Sequence, residues 1–335
     1  MACLCVAFGT LYRTVWLTSQ SLFSKSLGNN IPMVLRRKRL YTLSNIKPDE
    51  FKSVQYTTKD KVAYVTLNRP HVLNAVDEDM IIELHQSVIL ANDDDEVKVI
   101  VLAGNGKAFS SGFDLKKISE LERSGKVLPG NQKMPWDPYI AYKSNEALRE
   151  VFMSFWKSYK PTICKLHGYA GTNSLALCCD MVIMGENARI GYSSARVFGC
   201  PITAMWVYRI GAEKAKRMLF TGDSIDGEEA ARIGLVLKAV PEEQLDDEVE
   251  RLAKRMVNVP SNQLFFQKQV INHAIEQMGL FSTQRLATLF DGMARHTPEG
   301  MQFKKRMVEV GFKKAVLERD SGGDTLWPGL INSKL

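Results

Sequence analysis

Hydrophobic side chains recur in two different periods along this chain. From Lys61 to Leu67 the run Lys-Val-Ala-Tyr-Val-Thr-Leu is short, β-branched and aromatic, which predicts a strand. Asn68-Arg69-Pro70 ends it. From Glu78 to Leu90 the apolar residues Met80, Ile81, Leu84, Val88 and Ile89 follow helical spacing. A polar break, Asn92 to Asp95, separates that helix from Val97 to Ala103, which is almost wholly apolar and predicts a strand buried on both faces. Thr162 to Leu166 and Met181 to Met184 predict two more strands, with helical segments between them. Strands that alternate with helices define an α/β class. From about Glu242 onward helical patterns dominate, and Met256, Phe265, Phe266, Ile271 and Leu280 form apolar stripes that predict core or subunit contact. Residues 119–145 carry Gly125, Pro129, Gly130, Pro135, Trp136 and Pro138 with no clear period, and are read as a mobile insertion. No internal repeat of fixed period is present.

Composition changes this picture at the ends. The chain has 335 residues and a net charge of +7. Seven of its 44 basic side chains, and no acid, lie in residues 1–48, which leaves 37 of each sign in the remainder. The body is therefore neutral, unlike the basic folded domain expected of a nucleic-acid binder, and no nucleic-acid partner is expected. Residues 1–48 are rich in Arg, Ser and Leu, which reads as a mitochondrial transit peptide or a disordered tail. The last three residues, Ser333, Lys334 and Leu335, spell a peroxisomal address. The tripeptide is the more specific signal, so the peroxisome is the first expectation and the mitochondrion the alternative. No stretch of about 20 apolar residues predicts a membrane span. Cys164, Cys178, Cys179 and Cys200 have no zinc-type spacing and are read as reduced, mostly buried thiols.

Four segments, in order over about 200 residues, carry a resemblance to the crotonase (enoyl-CoA hydratase/isomerase) family. They are Asn68-Arg-Pro-His-Val-Leu-Asn-Ala75, Val99-Ile-Val-Leu-Ala-Gly-Asn-Gly-Lys-Ala-Phe-Ser-Ser-Gly-Phe-Asp-Leu115, Lys160-Pro-Thr-Ile-Cys-Lys-Leu-His-Gly-Tyr-Ala170 followed by Asp180, and Ala215-Lys-Arg-Met-Leu-Phe-Thr-Gly222 with Ala230-Ala-Arg-Ile-Gly-Leu-Val236. The resemblance implies an α/β spiral of ββα units with a coenzyme A pocket over residues 51–245. It also implies a helical oligomerisation region over 246–332 and a homotrimer or hexamer. The partner it implies is an acyl-CoA thioester, with coenzyme A part of the substrate and no separate cofactor or metal. Two main-chain N–H groups, those of Phe113 and Gly171, would face the thioester oxygen. Leu73, Ala75, Ser111, Phe113, Asp114 and Leu115 would line the coenzyme A arm, and the insertion would shape the acyl pocket.

The chain departs from that pattern where a hydratase needs two carboxylates to activate water and handle the carbon-bound proton. Ser174 and Ser194 stand at those positions, and the turn Gly171-Thr-Asn-Ser174 looks about two residues short. Asp180, six residues beyond Ser174, would on a helix rise about 9 Å and change face. Glu186 has no supporting pattern. Asp114 is the best remaining acid, or else a brace for its loop. His167 and Tyr192 are weaker candidates, His167 reading first as a turn residue. Two functions stay open: an enzyme acting on the α and β carbons of acyl-CoA, and a catalytically impaired scaffold that keeps the thioester pocket.

Overall fold

The computed structural model describes residues 46–114, 117, 132, 134–171 and 173–321. In chain order the first elements are β1 (Val54–Lys59), β2 (Val62–Leu67), α1 (Glu78–Asp93), β3 (Val99–Gly104), α2 (Pro138–Lys157) and β4 (Thr162–Leu166). Then come β5 (Tyr169–Ala170), α3 (Asn173–Ala176), β6 (Met181–Gly185), β7 (Arg189–Gly191), α4 (Met205–Thr221), β8 (Ser224–Asp226), α5 (Gly227–Arg232) and β9 (Lys238–Val240). Five helices finish the described chain: α6 (Leu245–Val257), α7 (Ser261–Gln277), α8 (Leu280–Ala294), α9 (Pro298–Val310) and α10 (Phe312–Asp320).

The main sheet runs β1-β2-β3-β4-β6-β9. Strands β1 and β2 form an antiparallel hairpin, and every later pairing in this sheet is parallel. All six residues of β3 are buried, as its continuous apolar run predicts. Their alternation splits the core. Ile100 and Leu102 face Leu84 and Val88 of α1 and Phe152 and Phe155 of α2. Val99 and Val101 face Leu245, Val249 and Ala253 of α6. The sheet is thus covered on both faces, the arrangement parallel strands require. A smaller sheet, β5-β7-β8, stands beside it.

Two local expectations are corrected. Strand β1 is missed by the apolar pattern because most of its residues are exposed. Residues 138–145, assigned to the insertion, are instead the opening turns of α2. The helix begins there because the Asp137 side chain accepts hydrogen bonds from the amides of Tyr139 and Ile140, and Pro138 occupies the first turn, where its missing N–H costs nothing. Residues 119–131 and 133 of the insertion lie outside the described residues. So do residues 1–45 and 322–335, on which most of the expected N-terminal signal and all of the expected C-terminal one fall. Among the described residues no helix is long and apolar enough to cross a membrane.

Parallel strands send their C-terminal ends to one edge. The turn after β2, the loop after β3 and the turn after β4 therefore meet there, the usual place for a ligand in such sheets.

Candidate active site

Three parallel contacts bring the motif segments side by side. Val76 pairs with Phe113, Ser110 with Ala170, and Ala170 with Ile190 of β7. Leu73 to Val76, Ser110 to Asp114, Tyr169 to Gly171 and Arg189 to Gly191 thus lie as neighbouring rows although they are far apart in sequence. The turns are built by specific side chains. Asn74 is fully buried, accepts from the Arg69 amide at 2.8 Å, and donates to the carbonyls of Asn105 and Ala108 at 2.8 and 2.9 Å. It fastens the turn after β2 to the loop after β3. Its neighbour Leu73 has a positive φ of 51° and stays 44% exposed, so its side chain is presented rather than packed. Ala75 is buried behind it.

Main-chain hydrogen bonds distinguish one amide from its neighbours. Ser110 N–H donates to Tyr169 O at 3.0 Å, Ser111 N–H to Leu73 O at 2.8 Å and Asp114 N–H to Val76 O at 2.9 Å. Gly112 N–H reaches the Ser110 hydroxyl at 3.3 Å. Phe113 N–H has no acceptor among the described residues. Gly112 precedes it with a φ of 105°, a conformation that favours glycine.

The second expected donor is engaged within the main chain in this structure. Gly171 N–H is committed to Ser110 O at 2.6 Å. Gly171 thereby extends the ladder in which Ser110 and Ala170 already pair. A glycine is needed here for space. A Cβ on Gly171 would sit 2.5 Å from the Ser111 carbonyl carbon and oxygen and 2.7 Å from the Gly112 nitrogen. Helix α3 begins at Asn173, not at Gly171.

The candidate acids lie as follows. Asp114 is braced: one carboxylate oxygen accepts from Arg69 Nη2 at 2.9 Å, the other from the Lys117 amide at 3.1 Å. Asp180 is not on a helix facing the site. It accepts from the amide and hydroxyl of Thr162 at 2.7 and 3.0 Å and pairs with Lys268 at 2.8 Å. Glu186 sits in the turn between β6 and β7, where its main chain pairs with Val240 and Gly227. That turn enters β7, whereas Ser194 follows the strand's exit. His167 joins Gly106 O at 2.9 Å, a turn role. Ser174 is half-buried in α3, and Ser194 lies in the 3-10 turn Ser193–Arg196. Leu115 lies outside the described residues.

One carboxylate near Ser194 has no local signal in the sequence. A Cβ on Gly199 would meet Tyr192 Oη at 3.1 Å, Asp291 Oδ1 at 3.2 Å and the Ser194 Cβ at 3.9 Å, so α8 delivers Asp291 to this turn. Asp291 is 2% exposed and saturated. It accepts from Asn145 Nδ2 at 2.9 Å, Cys200 N–H at 3.0 Å and Arg295 Nε at 2.8 Å. Burial, aided by this carboxylate, pushes the Tyr192 phenol well above its ordinary range, so Tyr192 stays a neutral phenol rather than serving as an acid. Asn173 ties the rows together, donating to Gly191 O at 2.6 Å and accepting from Trp206 Nε1 at 3.3 Å. Among the described residues no group of His, Cys, Asp or Glu is arranged to hold a metal.

This arrangement of rows matches a known class. Residues 57–308 match the family model for enoyl-CoA hydratase/isomerase. The probable mitochondrial enoyl-CoA hydratase of Dictyostelium discoideum is 32% identical over 259 residues, covering 76% of this chain and 81% of that protein. A crystal structure of an enoyl-CoA hydratase from Mycobacterium smegmatis has a TM-score of 0.76 and 39% identity, covering 82% and 96%. One of an enoyl-CoA hydratase/isomerase from Xanthobacter autotrophicus has a TM-score of 0.72 and 29% identity, covering 81% and 98%. The chain belongs to the enoyl-CoA hydratase/isomerase family, the crotonase family of enzymes, and has its α/β fold with a helical C-terminal region.

Proposed function

We propose that this protein binds an acyl-CoA thioester along the rows that hold Leu73, Ala75, Ser111 and Phe113, polarises its carbonyl, and acts at the α and β carbons in fatty-acid metabolism. The observation that carries this reading is the Phe113 N–H, which has no acceptor among the described residues while its neighbours are paired. Addition of water across a conjugated 2-enoyl-CoA puts OH on the β carbon and H on the α carbon, and negative charge gathers on the thioester oxygen between those events. A main-chain donor aimed at that oxygen is worth about 3–4 kcal/mol in the transition state. In this reading the hydroxyls of Ser174 and Ser194 hold water or substrate in place of carboxylates, and Asp114 fixes the donor loop.

A second reading, a scaffold that binds the thioester without turning it over, is favoured by the two serines at the acid positions and by the engaged Gly171 amide. One experiment separates the two. Purified protein is mixed with 2-enoyl-CoA of several chain lengths, and loss of the conjugated thioester absorbance is followed beside calorimetric binding of the same compounds. Binding with turnover is expected. Binding without turnover selects the scaffold, and absence of binding overturns both.

Two further expectations accompany this proposal. Phe266, Val270 and Ile271 of α7 and Leu286 and Phe290 of α8 are exposed apolar side chains, an area that other copies of the chain would cover in a trimer or hexamer. Light scattering of the same preparation should then give three or six times the 37.7 kDa chain mass, and a monomeric mass would sink the assembly. Import into peroxisomes should depend on Ser333-Lys334-Leu335. Unchanged import after removal of the tripeptide would favour the N-terminal signal and the mitochondrion.

A further inference from the structure

We infer that Arg69 is a positioning residue that aims the Phe113 N–H, an inference resting on the thioester reading above. The Phe113 N–H shares its peptide plane with Gly112 O, which accepts from Val76 N–H at 2.8 Å, and the next amide, Asp114 N–H, donates to Val76 O at 2.9 Å. Its direction therefore follows how the row of Gly112 to Asp114 is seated on the row of Ala75 and Val76, and a clamp across those two rows sets it. That clamp is Arg69, whose side chain is 14% exposed. Nη2 donates to Asp114 Oδ2 at 2.9 Å. Nη1 donates to Ala75 O and lies 3.5 Å from Asp77 Oδ2.

The guanidinium thus grips both rows at once: the carbonyl of Ala75 in one, the carboxylate of Asp114 in the other. Asp77 completes the network. Its carboxylate takes Lys117 Nζ at 2.9 Å, the Met80 amide at 3.0 Å and the Ser53 hydroxyl at 3.3 Å. Lys117 returns to Asp114 through its own amide at 3.1 Å. Burial alone would raise the Asp77 carboxyl. The Met80 amide, Lys117 and Arg69 outweigh it and hold the group below the ordinary carboxylate range. The carboxylate is therefore present at neutral pH, and this part of the network is lost only as the solution falls below that range.

A planar fork holds two acceptors in directions fixed by one rigid plane, whereas an ammonium is a single point on a flexible stem whose donors rotate, so it does not reproduce that geometry. Arg69→Lys should keep the charge and the fold while releasing the aim of Phe113. The probe is 4-(dimethylamino)cinnamoyl-CoA, whose absorption band moves to the red when its thioester carbonyl accepts a hydrogen bond. The wild-type protein is expected to bind it and shift the band. Arg69→Lys is expected to bind within about threefold of wild type, to melt within a few degrees of it, and to lose at least half of the shift. Asp114→Asn should lose a similar part, and the double variant no more than either single one, as for residues acting as one unit. A shift in Arg69→Lys equal to that of wild type, with binding intact, overturns the positioning role while the thioester reading stands. Wild-type protein that fails to bind or shift the probe overturns the thioester reading, and this inference with it.

Discussion

Replacing Gly171 with alanine is expected to lower the thermal midpoint by roughly 10 °C and to weaken or abolish thioester binding even in the fraction that folds. The added Cβ meets main-chain atoms, at 2.5 Å from the Ser111 carbonyl and 2.7 Å from the Gly112 nitrogen. No rotamer change relieves that overlap, so the rows holding Ser110 and Gly171 must separate. Their separation strains the hydrogen bonds from Gly171 N–H to Ser110 O and from Ser110 N–H to Tyr169 O. Overpacking of this kind costs about 1–3 kcal/mol, and each lost hydrogen bond about 1 kcal/mol more. For a domain of this size each kcal/mol corresponds to about 2–4 °C. The functional loss follows from the same movement, because Phe113 lies two residues from the displaced peptide and a shift of about 1 Å can cost on the order of 100-fold in rate. Gly112→Ala is the informative companion. Its Cβ would find its nearest neighbour at 4.0 Å, so its cost comes from the backbone angle rather than from contact. A Gly171→Ala protein with wild-type melting and wild-type thioester affinity would refute the close packing of these two rows.

The sequence makes the frame of this site legible and leaves its wiring hidden. The strands β2, β3, β4 and β6 stand close to where apolar runs and their breaks put them, because a strand covered on both faces must be apolar throughout. The motif glycines are legible for a related reason: close approach of main chain to main chain permits few residue types. Strand β1 escapes because an edge strand with a solvent face carries no apolar run. The engaged Gly171 amide escapes too. Which amide enters the ladder depends on pairing with Ser110, 61 positions away in the chain. Asn74, Arg69 and Asn173 act by hydrogen bonds across turns. The Asn68-Arg-Pro…Asn74-Ala75 spacing is the only local trace of the first two. Asp291 has no trace at all, since α8 brings it to Ser194 through tertiary packing alone.

Stability and site chemistry should separate cleanly at Lys268. Its side chain is 4% exposed, and Nζ lies 2.8 Å from Asp180 Oδ2 and 3.1 Å from the carbonyls of Phe155 and Lys160. This single ammonium pins α7 to the end of α2 and to the start of β4, whose Thr162 holds the same carboxylate. Burial pushes the Lys268 ammonium down, and Asp180 pulls it back. Lys268→Met leaves a largely buried carboxylate with only the Thr162 donors and two carbonyls without a partner. Breaking a buried pair from one side costs about 3–5 kcal/mol, so the thermal midpoint should fall by roughly 10 °C. The double variant Lys268→Met with Asp180→Asn should recover part of that loss, because no uncompensated charge remains. Neither protein should change thioester affinity per folded molecule, since the pair meets none of the rows that hold Phe113. Calorimetric melting beside thioester titration at low temperature tests both halves. A Lys268→Met midpoint within 2 °C of wild type would mean the pair contributes no net stability. A thioester affinity that falls in step with stability would mean α7 reaches the site by a route these contacts do not contain.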